Sequence, residues 1–181
     1  MPLWDFPNGT LYKREYAAYL LSQILGWDLI PLTIIRDGPR GVGSLQLYVP
    51  HDPRVNYFTI RESHSDVLRV MACFDLVANN ADRKAIHCIQ GPDGKIWGID
   101  HGLTFNSVIK VRTVIWDFGG EPIPDQLLSA LSAFLKELIH PRGRVLELLR
   151  LLAKDEVAAL VQRTAWLLEI REYPGLGRSH R

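Results

Sequence analysis

Two polar stretches decide the fold of this chain: Asn79-Asn80-Ala81-Asp82-Arg83-Lys84-Ala85-Ile86-His87 and Ile99-Asp100-His101-Gly102. Each contains an acidic residue, Asp82 or Asp100, beside residues that favour turns. Asp100 lies thirteen positions after His87, and the chain between them has the composition of a short hairpin. We therefore expect the hairpin to bring His87 and Asp100 towards one another.

Outward from these stretches, residue spacing predicts a mixed fold. Apolar residues with helical spacing predict five helices, at 11–25, 67–77, about 125–139, 142–152 and 154–170. Runs of β-forming residues around glycine-rich turns predict two hairpins, one pairing 32–35 with 44–49 and one pairing 86–90 with 95–100. The loop that contains Asp82 begins where the second predicted helix ends.

Composition excludes several classes of protein. The 181 residues are 47% hydrophobic and 23% charged, and the formal net charge of +1 gives no indication of nucleic-acid or membrane-surface binding. The apolar runs are too short for a membrane span, and the first residues do not resemble a secretion signal, so we expect a cytoplasmic protein. Cys73 and Cys88 lie in apolar contexts without metal-type spacing, which predicts buried, reduced thiols.

The acidic residues have the chemistry of phosphoryl transfer, in which metal ions neutralise phosphate charge and a carboxylate orients the nucleophile. Asp82, on a loop after a helix, is suited to orient or deprotonate an acceptor. Asp100 offers the oxygen donors that Mg²⁺ or Mn²⁺ prefers. His87 can hydrogen-bond a phosphate, although an imidazole suits softer ions than Mg²⁺.

Taken singly, each residue has a structural explanation. Asp82 can be a loop cap, Asp100-His101-Gly102 an ordinary turn, and His87 a core histidine. Their joint spacing favours a functional site. A metal hydrolase built from His87, Asp100 and His101 is a weaker alternative, because adjacent residues on a strand point to opposite faces.

Longer strings of this sequence resemble an uncharacterised bacterial family related to phosphatidylinositol 3- and 4-kinases, and more distantly to HipA-like kinases. The strings that carry the resemblance are 2–7, 14–20, 43–49, 79–87, 97–102 and 112–118. The fold implied is an α+β, kinase-like domain with a mostly helical large lobe and an incomplete small lobe. Residues 1–49 would form the partial small lobe and hinge, 50–173 the large lobe, and 174–181 a frayed tail.

The resemblance also implies roles for seven residues: Asp82 and Arg83 in catalysis, Asp100 and His87 in metal binding, and Glu15, Gln46 and Val49 in nucleotide binding. Two departures from the kinase pattern are evident. No Gly-X-Gly run or lysine precedes Lys13. The sequence therefore shows no counterpart of the lysine with which kinases pair the glutamate at the position of Glu15. His87 also stands where kinases have a metal-binding asparagine.

The function expected from the resemblance is an ATP-dependent phosphotransferase that uses Mg²⁺ or Mn²⁺. Its acceptor is unknown, and a protein or a small molecule is as plausible as a lipid. The alternative is a degenerate kinase relative that serves as a binding or scaffold module without catalysis. Neither nucleic-acid binding nor integral membrane association is expected.

Overall fold

The computed structural model describes residues 6–7 and 9–175 of the chain. These residues form six α-helices, one short 3₁₀ helix and four strands paired as two antiparallel hairpins. In chain order the elements are α1 (Leu11–Ile24), β1 (Thr33–Gly38), β2 (Gly41–Gln46), α2 (Tyr57–Ile60), α3 (Ser65–Ala78), the 3₁₀ helix (Ala85–His87), β3 (Cys88–Gln90), β4 (Ile96–Gly98), α4 (Asp125–Ile139), α5 (Gly143–Arg150) and α6 (Lys154–Ile170). This mixture agrees with the α+β class predicted from the sequence.

The five long helices lie where the apolar periodicity predicts them, and their ends have local causes. Gly26 stops α1 by adopting a φ of +68°, a conformation that glycine enters without steric penalty. Asn79 ends α3 in the left-handed conformation, with a φ of +50°. Asparagine is one of the few residues that tolerate this conformation, so the loop that carries Asp82 begins at a defined position.

Two predictions about the first half of the chain need correction. The second strand was expected at 44–49, but β2 runs over Gly41–Gln46, because the turn at Pro39 and Arg40 is tight enough for Gly38 to pair with Gly41. The predicted helices and strands leave residues 50–62 without a regular element. This segment contains α2, whose Tyr57 and Ile60 are buried in the core.

One continuous hydrophobic core runs from α1 through α3 to the C-terminal helices, and its largest fully buried side chains include Leu21, Met71, Phe74, Phe105, Phe134 and Leu160. Core residues before and after position 49 belong to the same cluster, and the division into lobes at that position stays a prediction. No helix in the described part of the chain is both long and apolar enough to span a bilayer. The tail predicted at 174–181 lies, beyond residue 175, outside the described residues.

Both cysteines are free and buried, as the sequence predicts. Burial disfavours the thiolate, and it raises the pKa of Cys73 to about 12 and the pKa of Cys88 to about 11. Neither thiol is therefore a nucleophile at neutral pH.

The hairpin of β1 and β2 packs on α1 but exposes an apolar face. Ile34 and Leu45 are cross-strand partners, and each is about half exposed. Leu32 and Leu47, joined by a backbone hydrogen bond of 2.7 Å, continue the same exposed face.

Buried Arg14 anchors α1 to the rest of the molecule. Its guanidinium donates to the Thr104 carbonyl over 2.6 Å and to the Glu156 carboxylate at the start of α6 over 2.5 Å. The next residue along α1 is Glu15, so this anchor fixes the helix that delivers Glu15 to the candidate site.

Candidate metal centre

Three of the residues predicted for the site come together in space. Asp82, His87 and Asp100 each offer a ligand atom, and these atoms all lie within 4.8 Å of one another. The β3–β4 hairpin brings His87 Nε2 to 3.2 Å from Asp100 Oδ2, which confirms the proximity expected from the sequence. His87 is buried, Asp82 is half-buried and Asp100 is exposed, so the cluster opens to solvent on the aspartate side.

The imidazole of His87 is oriented by the backbone of the loop that carries Asp82. Its Nδ1 lies 2.9 Å from the carbonyl oxygen of Asp82 and 3.3 Å from the amide nitrogen of Lys84. When Nδ1 carries the proton it donates to the Asp82 carbonyl, and the lone pair of Nε2 faces Asp100. In the other tautomer, Nε2–H donates to Asp100 and Nδ1 accepts from Lys84. Burial lowers the pKa of His87, against the opposing effect of Asp100, and so favours a neutral ring.

Asp100 is held in an uncommon backbone conformation, with a φ of +60°. The Glu15 carboxylate accepts the backbone N–H of His101 over 3.0 Å and so fixes the turn immediately after Asp100. Burial raises the pKa of Glu15, and the nearby Asp100 charge acts in the same direction. Glu15 therefore reaches the site, but it does so through the backbone of the Asp100 turn.

A buried polar network lies beneath the three site residues, and Asp75 is at its centre. Asp75, fully buried on α3, accepts two N–H groups of the Arg83 guanidinium, at 3.0 Å from Nε and 2.8 Å from Nη2. Asn80 Nδ2 and Thr113 Oγ1 donate to the same carboxylate over 2.9 and 3.1 Å. Every carboxylate oxygen of Asp75 is thereby occupied, as a buried charge requires.

Arg83 lies in this network and not on the solvent side of the site. Its side chain is 1% exposed, and beyond Asp75 it contacts His101 Nε2 at 2.7 Å. Because an arginine has only donors, Nε2 of His101 accepts this bond. The resemblance implies a catalytic role for Arg83, and its side chain lies beneath the other site residues, where it supports the loop.

His101 is separated from the cluster of Asp82, His87 and Asp100. The metal-hydrolase alternative therefore loses one of its three proposed ligands. Its ring is fully buried, its Nε2 is occupied by Arg83, and Phe74 packs against it edge-on. Burial and the Arg83 charge hold its pKa well below the ordinary value. The strand alternation expected from the sequence does not cause this separation: β4 ends at Gly98, and the left-handed conformation of Asp100 separates the two side chains.

Gln46 and Val49, which the resemblance implies in nucleotide binding, lie at the end of β2 and beside the β3–β4 turn. Gln46 is the last residue of β2, and its side chain donates to Thr33 Oγ1 over 3.0 Å. The carbonyl of Val49 accepts from His51 Nδ1 over 2.8 Å. A Cβ at Gly91 in the hairpin turn would lie 3.3 Å from Val49 Cγ1, so Val49 packs against that turn.

The structure also shows supporting residues that the sequence reasoning missed: Asp75, Asn79, Asn80 and Thr113. Asn79 donates to the carbonyls of Asn106 and Val108 over 2.8 and 2.7 Å and accepts the Lys110 N–H over 2.8 Å. The segment after Gly102 is thereby fastened to the Asp82 loop. A signal was present for Asp75, which is a carboxylate within an otherwise apolar stretch of α3.

The donor atoms fit a small divalent cation. Adjacent ligands of an octahedral ion with bonds near 2.1 Å lie about 3 Å apart and opposite ligands about 4.2 Å apart. The 3.2 Å separation of His87 Nε2 and Asp100 Oδ2 matches the adjacent spacing, and a ligand atom of Asp82 lies within 4.8 Å of both. Hydrogen bonding of Nδ1 to a backbone carbonyl is the usual arrangement of a metal-bound histidine.

One comparison with known proteins identifies a relative. No protein-family model matches the sequence. The chain is 40% identical, over 209 aligned residues, to Protein Rv2133c of Mycobacterium tuberculosis strain H37Rv; the alignment covers 96% of this chain and 74% of the mycobacterial protein. The name of the mycobacterial protein states no activity, and the relation to phosphatidylinositol kinases stays a prediction. At this identity and coverage, the chain belongs to the same family as Rv2133c.

Proposed function

We propose that this protein is an ATP- and divalent-metal-dependent phosphotransferase with a kinase-like arrangement of its site. One observation carries the proposal: the ligand atoms of Asp82, His87 and Asp100, which come from two separate loops, converge within 4.8 Å of one another. A carboxylate on the loop after a helix and a second carboxylate after a hairpin are the two acidic groups that kinase chemistry requires.

In this proposal each residue of the site has a separate role. Asp82 orients the acceptor hydroxyl and takes its proton, since its half-buried carboxylate lies beside His87 and Asp100. Asp100 and His87 hold the cation, which when bound neutralises the charge of the nucleotide phosphates. Glu15 keeps the Asp100 turn in place through the His101 N–H, and Arg83 keeps the Asp82 loop in place through Asp75.

The nucleotide base is proposed to lie beside Gln46 and Val49, at the end of β2 and against the β3–β4 turn. The same hairpin connects this turn to His87 and Asp100 at its base. A ligand that spans both places would lie along the hairpin, with its phosphates at the carboxylates. The exposed apolar face of Leu32, Ile34, Leu45 and Leu47 supports the idea of an incomplete small lobe.

A second candidate is a kinase relative that binds nucleotide or a partner without catalysis. The observation in its favour is the use of Glu15: its carboxylate accepts from the backbone of His101, whereas kinases pair this glutamate with a phosphate-binding lysine. Lys84 Nζ also lies 2.7 Å from Asp82 Oδ2, so the proposed base carries an ion pair.

ATP turnover and ATP binding separate the two candidates. Calorimetry with Mg²⁺-ATP and with Mn²⁺-ATP is compared for wild type and Asp100→Asn, a change that retains the shape and the left-handed backbone of Asp100. Turnover that falls by about 100-fold or more in Asp82→Asn supports the phosphotransferase. Asp37→Asn, at an exposed position of β1, is the matched control. Binding without turnover favours the second candidate, and no nucleotide binding by the folded protein contradicts both.

A further inference from the structure

The identity of the ion follows from the donors themselves. Two carboxylates alone are typical of Mg²⁺ sites, whereas an imidazole nitrogen is a borderline donor that suits transition ions. In kinases the position of His87 is held by an asparagine, which offers a neutral oxygen. His87 therefore changes one donor of the set from oxygen to nitrogen.

His87 is built into the site and is not a surface histidine that happens to lie nearby. It is only 4% exposed, and its Nδ1 is fixed 2.9 Å from the Asp82 carbonyl. This bond directs Nε2 towards Asp100 Oδ2, 3.2 Å away. In the tautomer with its proton on Nδ1, Nε2 and Asp100 Oδ2 are two acceptor atoms that face each other at this distance. A cation between them converts an unfavourable contact into two bonds.

We infer that His87 and Asp100, beside Asp82, form a Mn²⁺ site that discriminates against Mg²⁺, and that His87 Nε2 is the ligand responsible. Mn²⁺ accepts both carboxylate oxygen and imidazole nitrogen, and it can replace Mg²⁺ in holding phosphate oxygens. Mg²⁺ dehydrates reluctantly and gains little from a nitrogen donor. This inference rests on the metal centre of the proposed function, but it concerns ion binding and can be tested without nucleotide.

The first experiment needs no variant. Mn²⁺ is titrated into the full chain in the absence of nucleotide, free Mn²⁺ is measured by electron paramagnetic resonance, and the bound ion is examined for magnetic coupling to nitrogen-14. Stoichiometric binding with the coupling of one imidazole nitrogen is expected. Oxygen-only coordination of bound Mn²⁺, or no binding by the folded protein, overturns the inference.

The second experiment measures selectivity as a ratio of dissociation constants. Wild type is expected to bind Mn²⁺ at least about tenfold more tightly than Mg²⁺, and His87→Asn to lower that ratio by about tenfold, because the amide offers oxygen in place of nitrogen. His140→Asn, at an exposed position after α4, should leave the ratio unchanged. An unchanged ratio in His87→Asn that is folded by circular dichroism contradicts the assignment.

The outcomes remain distinct from those of the proposed function. Nitrogen-coordinated Mn²⁺ in a protein that does not turn over ATP supports the ion assignment and contradicts the phosphotransferase. ATP turnover at equal rates with Mg²⁺ and with Mn²⁺ supports the phosphotransferase. If the bound Mn²⁺ of the same protein shows no nitrogen coupling, the ion assignment is contradicted. Stoichiometric Zn²⁺ that Mn²⁺ cannot displace would also overturn the assignment.

Discussion

Neighbouring residues in the two decisive loops face in opposite directions, and this divides the site into two layers. Asp82 and Asp100 belong to an upper layer that opens to solvent, and the Asp100 side chain is 57% exposed. Arg83 and His101, the very next residues, belong to a lower layer in which both side chains are buried and bonded to each other. The upper layer contains the carboxylates of the candidate site, and the lower layer determines where these carboxylates lie.

The two layers also differ in how their charges are compensated. In the lower layer the Asp75–Arg83 pair is fully enclosed, and Asn80 and Thr113 complete its hydrogen bonds. In the upper layer the Asp82–Lys84 pair is open to water. A buried pair that loses one partner leaves an uncompensated charge, whereas an exposed pair is replaced by solvent. Substitutions in the lower layer should therefore affect folding, and those in the upper layer should affect ligands.

The largest expected effect is that of Arg83→Ala. Removal of the guanidinium leaves the Asp75 carboxylate buried beside only two neutral donors and frees His101 Nε2. We expect the free energy of unfolding to fall by about 3–5 kcal/mol, measured by chemical denaturation. Arg54→Ala removes an equally well-formed but exposed pair with Asp52 and should cause no resolvable change.

The same variant tests where Arg83 acts. If Arg83 contacted the transferred phosphate directly, Arg83→Ala would abolish turnover while leaving stability close to that of wild type. A loss of less than about 1 kcal/mol would contradict the lower-layer assignment.

Asn79→Ala should have the next largest effect, because Asn79 fastens the segment after Gly102 to the Asp82 loop. The substitution removes three hydrogen bonds and places alanine at a φ of +50°. We expect a loss of about 2–4 kcal/mol in the free energy of unfolding. Asn79→Gly loses the same bonds without the backbone strain and should lose about 1 kcal/mol less. Equal stability of the two variants would show that the left-handed conformation contributes nothing.

The upper layer was largely predictable from the sequence. The hairpin between His87 and Asp100 is a local structure, since an Asp-Gly pair flanked by β-forming residues specifies a reversal. Its two ends must then be neighbours. The long helices follow equally well from their apolar periodicity.

The lower layer could not be predicted, because its contacts join distant parts of the chain. Asp75 meets Thr113 across thirty-eight positions, and Glu15 meets His101 across eighty-six. Nothing in the local sequence shows that Arg83 turns inwards while Asp82 remains at the surface. The side-chain directions depend on the left-handed residues Asn79 and Asp100, and single residues with positive φ are not evident from residue type alone.

Glu15 links the two layers, and its substitution should affect the ion more than the fold. Glu15→Ala removes the acceptor of the His101 N–H and loosens the turn that carries Asp100. We expect the affinity for Mn²⁺, measured by calorimetry, to fall by about tenfold, as for other groups that orient metal ligands. Glu15→Gln retains an acceptor oxygen and should retain most of the affinity. If the two variants are equally weak, the charge of Glu15 matters and its hydrogen bond does not.

The smallest effect is expected for Lys84→Ala, which alters the upper layer alone. Lys84 Nζ pairs with Asp82 Oδ2 over 2.7 Å at the surface, so its positive charge offsets the attraction of that carboxylate for the neighbouring cation. Without the lysine, Mn²⁺ should bind a few-fold more tightly by calorimetry, while the denaturation midpoint stays that of wild type. Because an exposed pair is screened by salt, the difference in affinity between variant and wild type should shrink as ionic strength rises. Weaker Mn²⁺ binding in Lys84→Ala would mean that Lys84 positions Asp82 for the ion, and the upper layer would then depend on its own ion pair as well as on the buried network.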